Sequence, residues 1–276
     1  MSGSDSCGMC CINRAQVTEK FQSYVENYDQ TDTKIALKVE HTYHVANISE
    51  QLAQALLEKQ NIEQVTEMPG QEVVDLAWLI GMLHDLGRFE QLRQYGTFID
   101  EESIDHAQLA LDILFRDGMI RSFVQESKYD AVIKAAVGSH SAYRISENLD
   151  EKTVLFCNLI RDADKIDIFR SSTRVPMEEI YNTPEDGFYT SEISPEVLEA
   201  FYSGDTVLRS LKKTPVDYLV GLISLINGLV FPYSSILVLK QGYFQKMLDF
   251  PSENKKTKQE LEKMKQYIQQ KYGRMV

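Results

Sequence analysis

The sequence predicts an all-α protein: a helical bundle with additional helices toward its C-terminal end. Three observations carry that prediction. Apolar residues recur at the three-to-four spacing of a helix face along most of the chain, and alternating strand patterns are scarce. In addition, residues 72–86 are apolar nearly all the way round, as expected of a helix buried at the centre of a bundle, and they lead into the organising stretch 79–89, LIGMLHDLGRF. This last stretch ends on adjacent His84 and Asp85, followed by Gly87 and Arg88. A buried imidazole and carboxylate side by side are costly unless they are paired or bound to a metal.

Taken in order, residues 1–15 are small and polar and read as a flexible tail. A first helix is expected over about residues 16–28. A second, about 34–59, carries Leu37, His41, Val45, Ile48 and Leu52 on one face, with His41 central and His44 at the stripe edge. Residues 61–70 form a loop, and 72–86 the central helix, with Gly87 as its C-terminal cap. Residues 88–102 read as irregular, and Ser103 as the cap of a helix that runs past His106 to Phe115.

Helices are also expected over 129–140, leading to His140, and over 151–169, where Phe156, Ile160, Asp164 and Ile168 recur every four residues. Asp164 therefore lies along an apolar face. Residues 171–195 hold Pro176, Pro184, Gly187 and Pro195 and read as a long excursion with short helical pieces, of the kind that serves as a lid or contact surface. An apolar helix follows over 216–230, broken at Phe231-Pro232, then a short helix over 241–250 and a solvated one over 252–273. The expected organisation is a tail (1–15), a helical core (16–170) and a helical extension packed on it (171–276).

Composition sets outer bounds. The chain has 276 residues, 43% of them hydrophobic and 25% charged, the balance of a water-soluble globular protein. There is no apolar run long enough to span a bilayer and no basic-then-apolar leader, which points to the cytoplasm and away from membranes. A net charge of −12 argues against a nucleic-acid partner. It leaves room for a small phosphorylated substrate wherever metal and a few cations offset the charge. Cys7, Cys10 and Cys11 lack a nearby partner to complete a four-ligand site and fit a reduced tail better than a metal or redox element. Cys157 fits a core thiol.

Four of the five histidines, His41, His84, His106 and His140, occupy ends or inward faces of expected helices, with Asp85 and Asp164 completing the series. Imidazole and carboxylate donors suit Mn, Fe, Ni, Zn or Mg to differing degrees, and a carboxylate can bridge two ions. No thiolate takes part, so a structural zinc site is disfavoured. A single histidine on an apolar face is usually a satisfied core residue. The ordered set reverses that judgement. Asp105, Asp162, Asp167 and Arg161 are open between orienting partners of the histidines and solvated charges.

The arrangement resembles the HD-domain metal-dependent phosphohydrolases: a His, a His-Asp pair and a later Asp on about five helices. The resemblance rests on Glu40-His41-Thr42-Tyr43-His44-Val45, Leu83-His84-Asp85-Leu86-Gly87-Arg88 and Arg161-Asp162-Ala163-Asp164-Lys165-Ile166-Asp167, and covers roughly residues 35–170. It implies a divalent metal (Mn, Fe, Ni, Mg or Zn) held by His41, His84, Asp85 and Asp164. It also implies that His106 and His140 either hold a second ion or contact a phosphate.

Arg88 stands where many relatives have Lys, and offers a planar fork for phosphate oxygens. No Glu-Asp follows the His-Asp and no Gly-Tyr-Pro is present, which disfavours the stringent-response and cyclic-dinucleotide branches. Asp85 is then expected to orient or deprotonate the attacking water, with Arg88 and Lys165, aided by His106 and His140, binding the phosphoryl group. The rivals are a non-catalytic HD metal-binding or regulatory module and a di-iron HD oxygenase with the same six ligands. The apolar 216–233 stretch suits either the core or a homodimer interface.

Overall fold

The computed structural model describes residues 12–59, 62–176, 178 and 184–273. The three cysteines of the N-terminal cluster lie outside them. Among the described residues every regular element is helical, and no helix is long and apolar enough to cross a membrane. The chain divides into two compact units, residues 1–160 and 161–276, and the division falls inside one continuous helix.

The first unit contains α1 (Arg14–Val25), α2 (Thr33–Lys59), α3 (Ile62–Thr66), α4 (Gly70–Leu83), α5 (Leu86–Tyr95), α6 (His106–Leu111), α7 (Ile120–Phe123), α8 (Asp130–Ser139) and the first part of α9 (Glu151–Ser171). As the sequence pattern predicts, α4 is the central rod, with every residue from Val73 to Leu83 buried. It lies against α2, and Gly81 sets how closely: a Cβ there would fall 2.5 Å from the Ala46 Cα. This backbone approach is what brings the end of α4 to the level of His41.

Several helix ends differ from the sequence expectation. The first helix starts at Arg14, because the Asn13 side chain accepts from the Gln16 N–H and the Arg14 guanidinium is tied to Asp75 at 2.7 Å. Gly87 does not cap α4. The chain turns at His84-Asp85 and re-enters a helix, so residues 86–95, expected to be largely irregular, form α5 and Gly96 is the left-handed cap at φ +69°. Gly87 is small for another reason: a Cβ on it would sit 2.2 Å from the His106 carbonyl oxygen and 2.7 Å from the Ala110 amide. Ser103 does not start α6; the Asp105 carboxylate does, accepting from the Ala107 and Gln108 N–H groups.

The second unit holds the remainder of α9, then α10 (Glu185–Thr190), α11 (Pro195–Tyr202), α12 (Pro215–Ser224), α13 (Pro232–Gln241), α14 (Tyr243–Leu248) and α15 (Lys255–Tyr272). Prolines 195, 215 and 232 each open a helix, where a missing N–H costs nothing. The terminal helix is not solvated all round. Leu261, Met264, Ile268 and Tyr272 form a buried stripe along α15, while its Lys and Glu residues cover the other face.

Candidate metal centre

Local backbone chemistry aims most of the histidines. His84 follows the last residue of α4 and His140 the last of α8, and each ring donates its Nδ1–H to the carbonyl three residues back, Gly81 and Val137, at 2.7 Å. Those carbonyls belong to the last turn of a helix and lack an intrahelical partner, so the ring serves as a cap. His106 opens α6 and donates its Nδ1–H to Asp100 Oδ2, also at 2.7 Å. With Nδ1–H committed, the neutral ring carries its lone pair on Nε2, and all three Nε2 atoms look into the same space.

His41, on the buried face of α2, brings a fourth. His41 Nε2 lies 3.4 Å from His84 Nε2, and His106 Nε2 lies 3.0 Å from His140 Nε2. Asp85 stands between the two pairs. Its Oδ2 is 3.6 Å from the Nε2 of both His41 and His84. Its Oδ1 is 3.6 Å from His106 Nε2 and 3.5 Å from His140 Nε2. Asp85 and the four histidines are almost completely buried.

Burial would raise the Asp85 carboxyl, but Lys38 foremost, with His84, His140 and Arg88, holds it well below the usual carboxylate range. His106 is pushed down to about 4, first by burial and then by Arg88, so its ring is neutral at pH 7. Asp100 lies at about 2: burial raises it, and the hydrogen bond from His106 and the Arg88 charge more than reverse that. An ionised Asp100 can only accept, which fixes the His106 tautomer.

This donor set fits a divalent cation. With both Nδ1–H groups committed, the Nε2 lone pairs of His106 and His140 face each other at 3.0 Å, a contact that needs a proton or a cation between them, and each histidine pair has a carboxylate oxygen of Asp85 beside it. Among the described residues, His84, Asp85 and His140 form a group with metal-ligand spacing. Arg88 contributes a further sign: its Nε is buried, makes no hydrogen bond and sits 3.8 Å from Asp85 Oδ1. A buried donor without a partner marks a place for an oxygen of a bound molecule.

The rest of Arg88 is committed. One terminal nitrogen donates to Gln91 Oε1, the Phe98 carbonyl and Asp100 Oδ1 at 2.6–2.9 Å, so the open fork expected from sequence is half used in holding a loop. Three residues that sequence reasoning passed over also build the site. Lys38 pairs with Asp85 Oδ2 at 2.7 Å, and its position one turn before His41 on the same helix face was the available signal. Asp100 aims His106. Gln91 is fully buried and donates to Asp100, Ser103 and Ile104, pinning the segment that carries Asp100.

Asp164 and Lys165 belong to the second unit, on α9. Lys165 is buried, donates to the Arg161 carbonyl at 3.3 Å and is lowered to about 8, first by burial and then by Arg161. The other carboxylates of this stretch have separate work. Asp162 accepts from the Val230 and Phe231 N–H groups and the Ser234 hydroxyl, capping α13 from a distance. Asp167 pairs with Arg170 at 2.6 Å. Asp105 caps α6, and half-buried His44 lies beside Glu40.

Residues 39–168 match the family model of the HD domain. The matched segment is similar to the HD domain. Proteins with this domain are usually metal-dependent phosphohydrolases, and some are not catalytic. No curated protein and no solved structure matches this chain. The HD match spans His41, the His84-Asp85 pair, His106, His140 and Asp164, from α2 into α9.

Proposed function

We propose that this chain is a metal-dependent phosphohydrolase that cleaves a phosphate ester of a nucleotide or another small molecule by attack of water. The single observation that carries the reading is the buried Asp85 carboxylate set between two pairs of convergent histidine Nε2 atoms. His41, His84, Asp85 and Asp164 are the proposed ligands of one ion. His106 and His140, with the other oxygen of Asp85, are the proposed ligands of a second. Asp164 is preferred to Asp162 because the Asp162 carboxylate is already used by α13.

A divalent ion supplies a Lewis acid for a phosphoryl oxygen and brings its water toward neutral pKa. The protein groups do the rest. Asp85, held well below the usual carboxylate range, orients the attacking water, while the ion would ease loss of the proton by lowering that water's pKa. Arg88 donates its buried Nε–H to a phosphoryl oxygen, and Lys165 adds a second cation for the charge that grows in the transition state. The burial of Asp85 and the four histidines around it keeps bulk water from screening these charges. Attack is in line, with no covalent enzyme intermediate.

The test compares purified wild type with Asp85→Ala for metal content, and for phosphate release from an aryl phosphate and a nucleotide panel. Stoichiometric metal and phosphate release that both fall in the variant support the hydrolase. Metal without turnover supports the non-catalytic module. Iron absorbance with oxygen uptake on substrate supports the oxygenase, whose six ligands would be the same. No metal in the wild type after reconstitution with Mn, Fe, Ni and Mg overturns the reading.

A further inference from the structure

Lys38 occupies an unusual position for a lysine. It lies on α2 one turn before His41, and its side chain is only 18% exposed. Its ammonium donates to Asp85 Oδ2 at 2.7 Å. That is the carboxylate oxygen that also faces His41 Nε2 and His84 Nε2, each at 3.6 Å. A cation held by His41, His84 and Asp85 would therefore share an oxygen with an ammonium already seated on it. Inside a buried site two positive groups on one oxygen repel strongly, because little water screens them.

The ammonium has a second contact that does not depend on Asp85. While seated on the carboxylate, Lys38 Nζ already lies 5.5 Å from the Phe98 ring, with the Arg88 guanidinium 5.8 Å from the same ring. An aromatic face tolerates a nearby cation without neutralising it. The loop that carries Phe98 is held in place by Arg88 through the Phe98 carbonyl and Asp100. A Lys38 ammonium that left Asp85 would thus stand beside Phe98 and Arg88 at the edge of the centre, with its charge open to an anion.

We propose that Lys38 is a resident counter-cation of Asp85, displaced by the metal ion and then used to bind the anionic group of the substrate. The proposal rests on reading His41, His84 and Asp85 as metal ligands. It makes Lys38 a substrate-binding residue with two successive partners and imposes an order, metal first and phosphate second. In the metal-free protein the ammonium compensates a buried carboxylate. With metal in place the same charge is released toward the phosphoryl group.

The experiment uses the full chain, stripped with chelator, as wild type, Lys38→Met, Lys38→Gln and Lys38→Arg. Mn2+ is titrated calorimetrically, and inorganic phosphate is then titrated into each Mn2+-loaded protein. Lys38→Met and Lys38→Gln should bind the first Mn2+ at least about tenfold tighter than wild type, since the competing charge is gone, and bind phosphate at least about tenfold weaker. Lys38→Arg keeps the charge and should restore wild-type behaviour on both counts. The chelated Met and Gln variants should also melt below chelated wild type and gain more from Mn2+.

Unchanged or weaker Mn2+ binding by Lys38→Met and Lys38→Gln overturns the displacement. Tighter Mn2+ with unchanged phosphate overturns the second role. A wild type that binds no Mn2+ overturns the metal reading itself, which separates the two failures. If Lys38→Met does not fold without metal, Lys38→Gln, closer to lysine in polarity, provides the same comparison.

Discussion

Gly87→Ala is the sharpest test of how the fold sets up the centre, because its effect can be worked from backbone atoms alone. An added Cβ would sit 2.2 Å from the His106 carbonyl oxygen and 2.7 Å from the Ala110 amide nitrogen. Neither atom can rotate away, so α5 and α6 must separate by about 1.2 Å to bring the closer contact out to an ordinary 3.4 Å. That displacement carries His106 with it, since the clash is with its own backbone. Metal–nitrogen distances tolerate only about 0.2 Å. The His106–His140 edge of Asp85 should therefore lose its ion, while the His41–His84 edge, built from α2 and α4, keeps its own. The overpacking should cost about 1–3 kcal/mol and lower Tm by several degrees. Metal analysis and calorimetric titration read the outcome directly: the variant should bind one equivalent fewer than wild type. A variant that binds the wild-type number of ions with wild-type affinity would refute the claim that this close approach places His106.

Other perturbations separate the roles of neighbouring groups. Asp100→Asn removes the acceptor that fixes the His106 tautomer and should weaken metal binding at the His106–His140 edge by about 10–100-fold, measured by titration, with secondary structure intact by circular dichroism. Asp162→Ala strips α13 of its remote cap and should lower stability by about 1–3 kcal/mol in urea unfolding, while metal content stays at the wild-type level. Asp164→Asn should do the reverse, reducing metal content with little change in the unfolding of the stripped protein; equal metal in both variants would contradict the assignment of Asp164. Adding Mn2+ to the stripped wild type should raise Tm, and Asp85→Asn should abolish that rise.

What the sequence disclosed follows from which physical signals are local. The helical class and the buried α4 were legible because side-chain period and all-round apolarity are properties of short stretches. The candidate donors were legible for a related reason. A histidine or carboxylate on an apolar face is costly, so His41 and the His84-Asp85 pair advertise themselves wherever the pattern is read. Gly87 shows where this reasoning stops. A glycine after an apolar helix has two physical explanations, a left-handed cap or a close approach, and they are indistinguishable in one dimension. Here the cap function belongs to Gly96, and Gly87 is small because α6 crosses it.

The same limit explains the ring of supporting groups. Asp100 and His106 are only six residues apart, yet a turn of 3-10 helix and an extended link intervene, and no periodicity joins them. Gln91 looks like any polar residue of a surface helix until α5 is seen to turn it inward toward Asp100 and Ile104. Lys38 lies between these cases. Its one-turn offset from His41 is a local signal, but a lysine near a helix stripe is ordinary, and only the position of Asp85 turns it into part of the centre. The donors of such a site can thus be named from cost, whereas the groups that hold and compensate them follow from the crossing of α2, α4, α5 and α6.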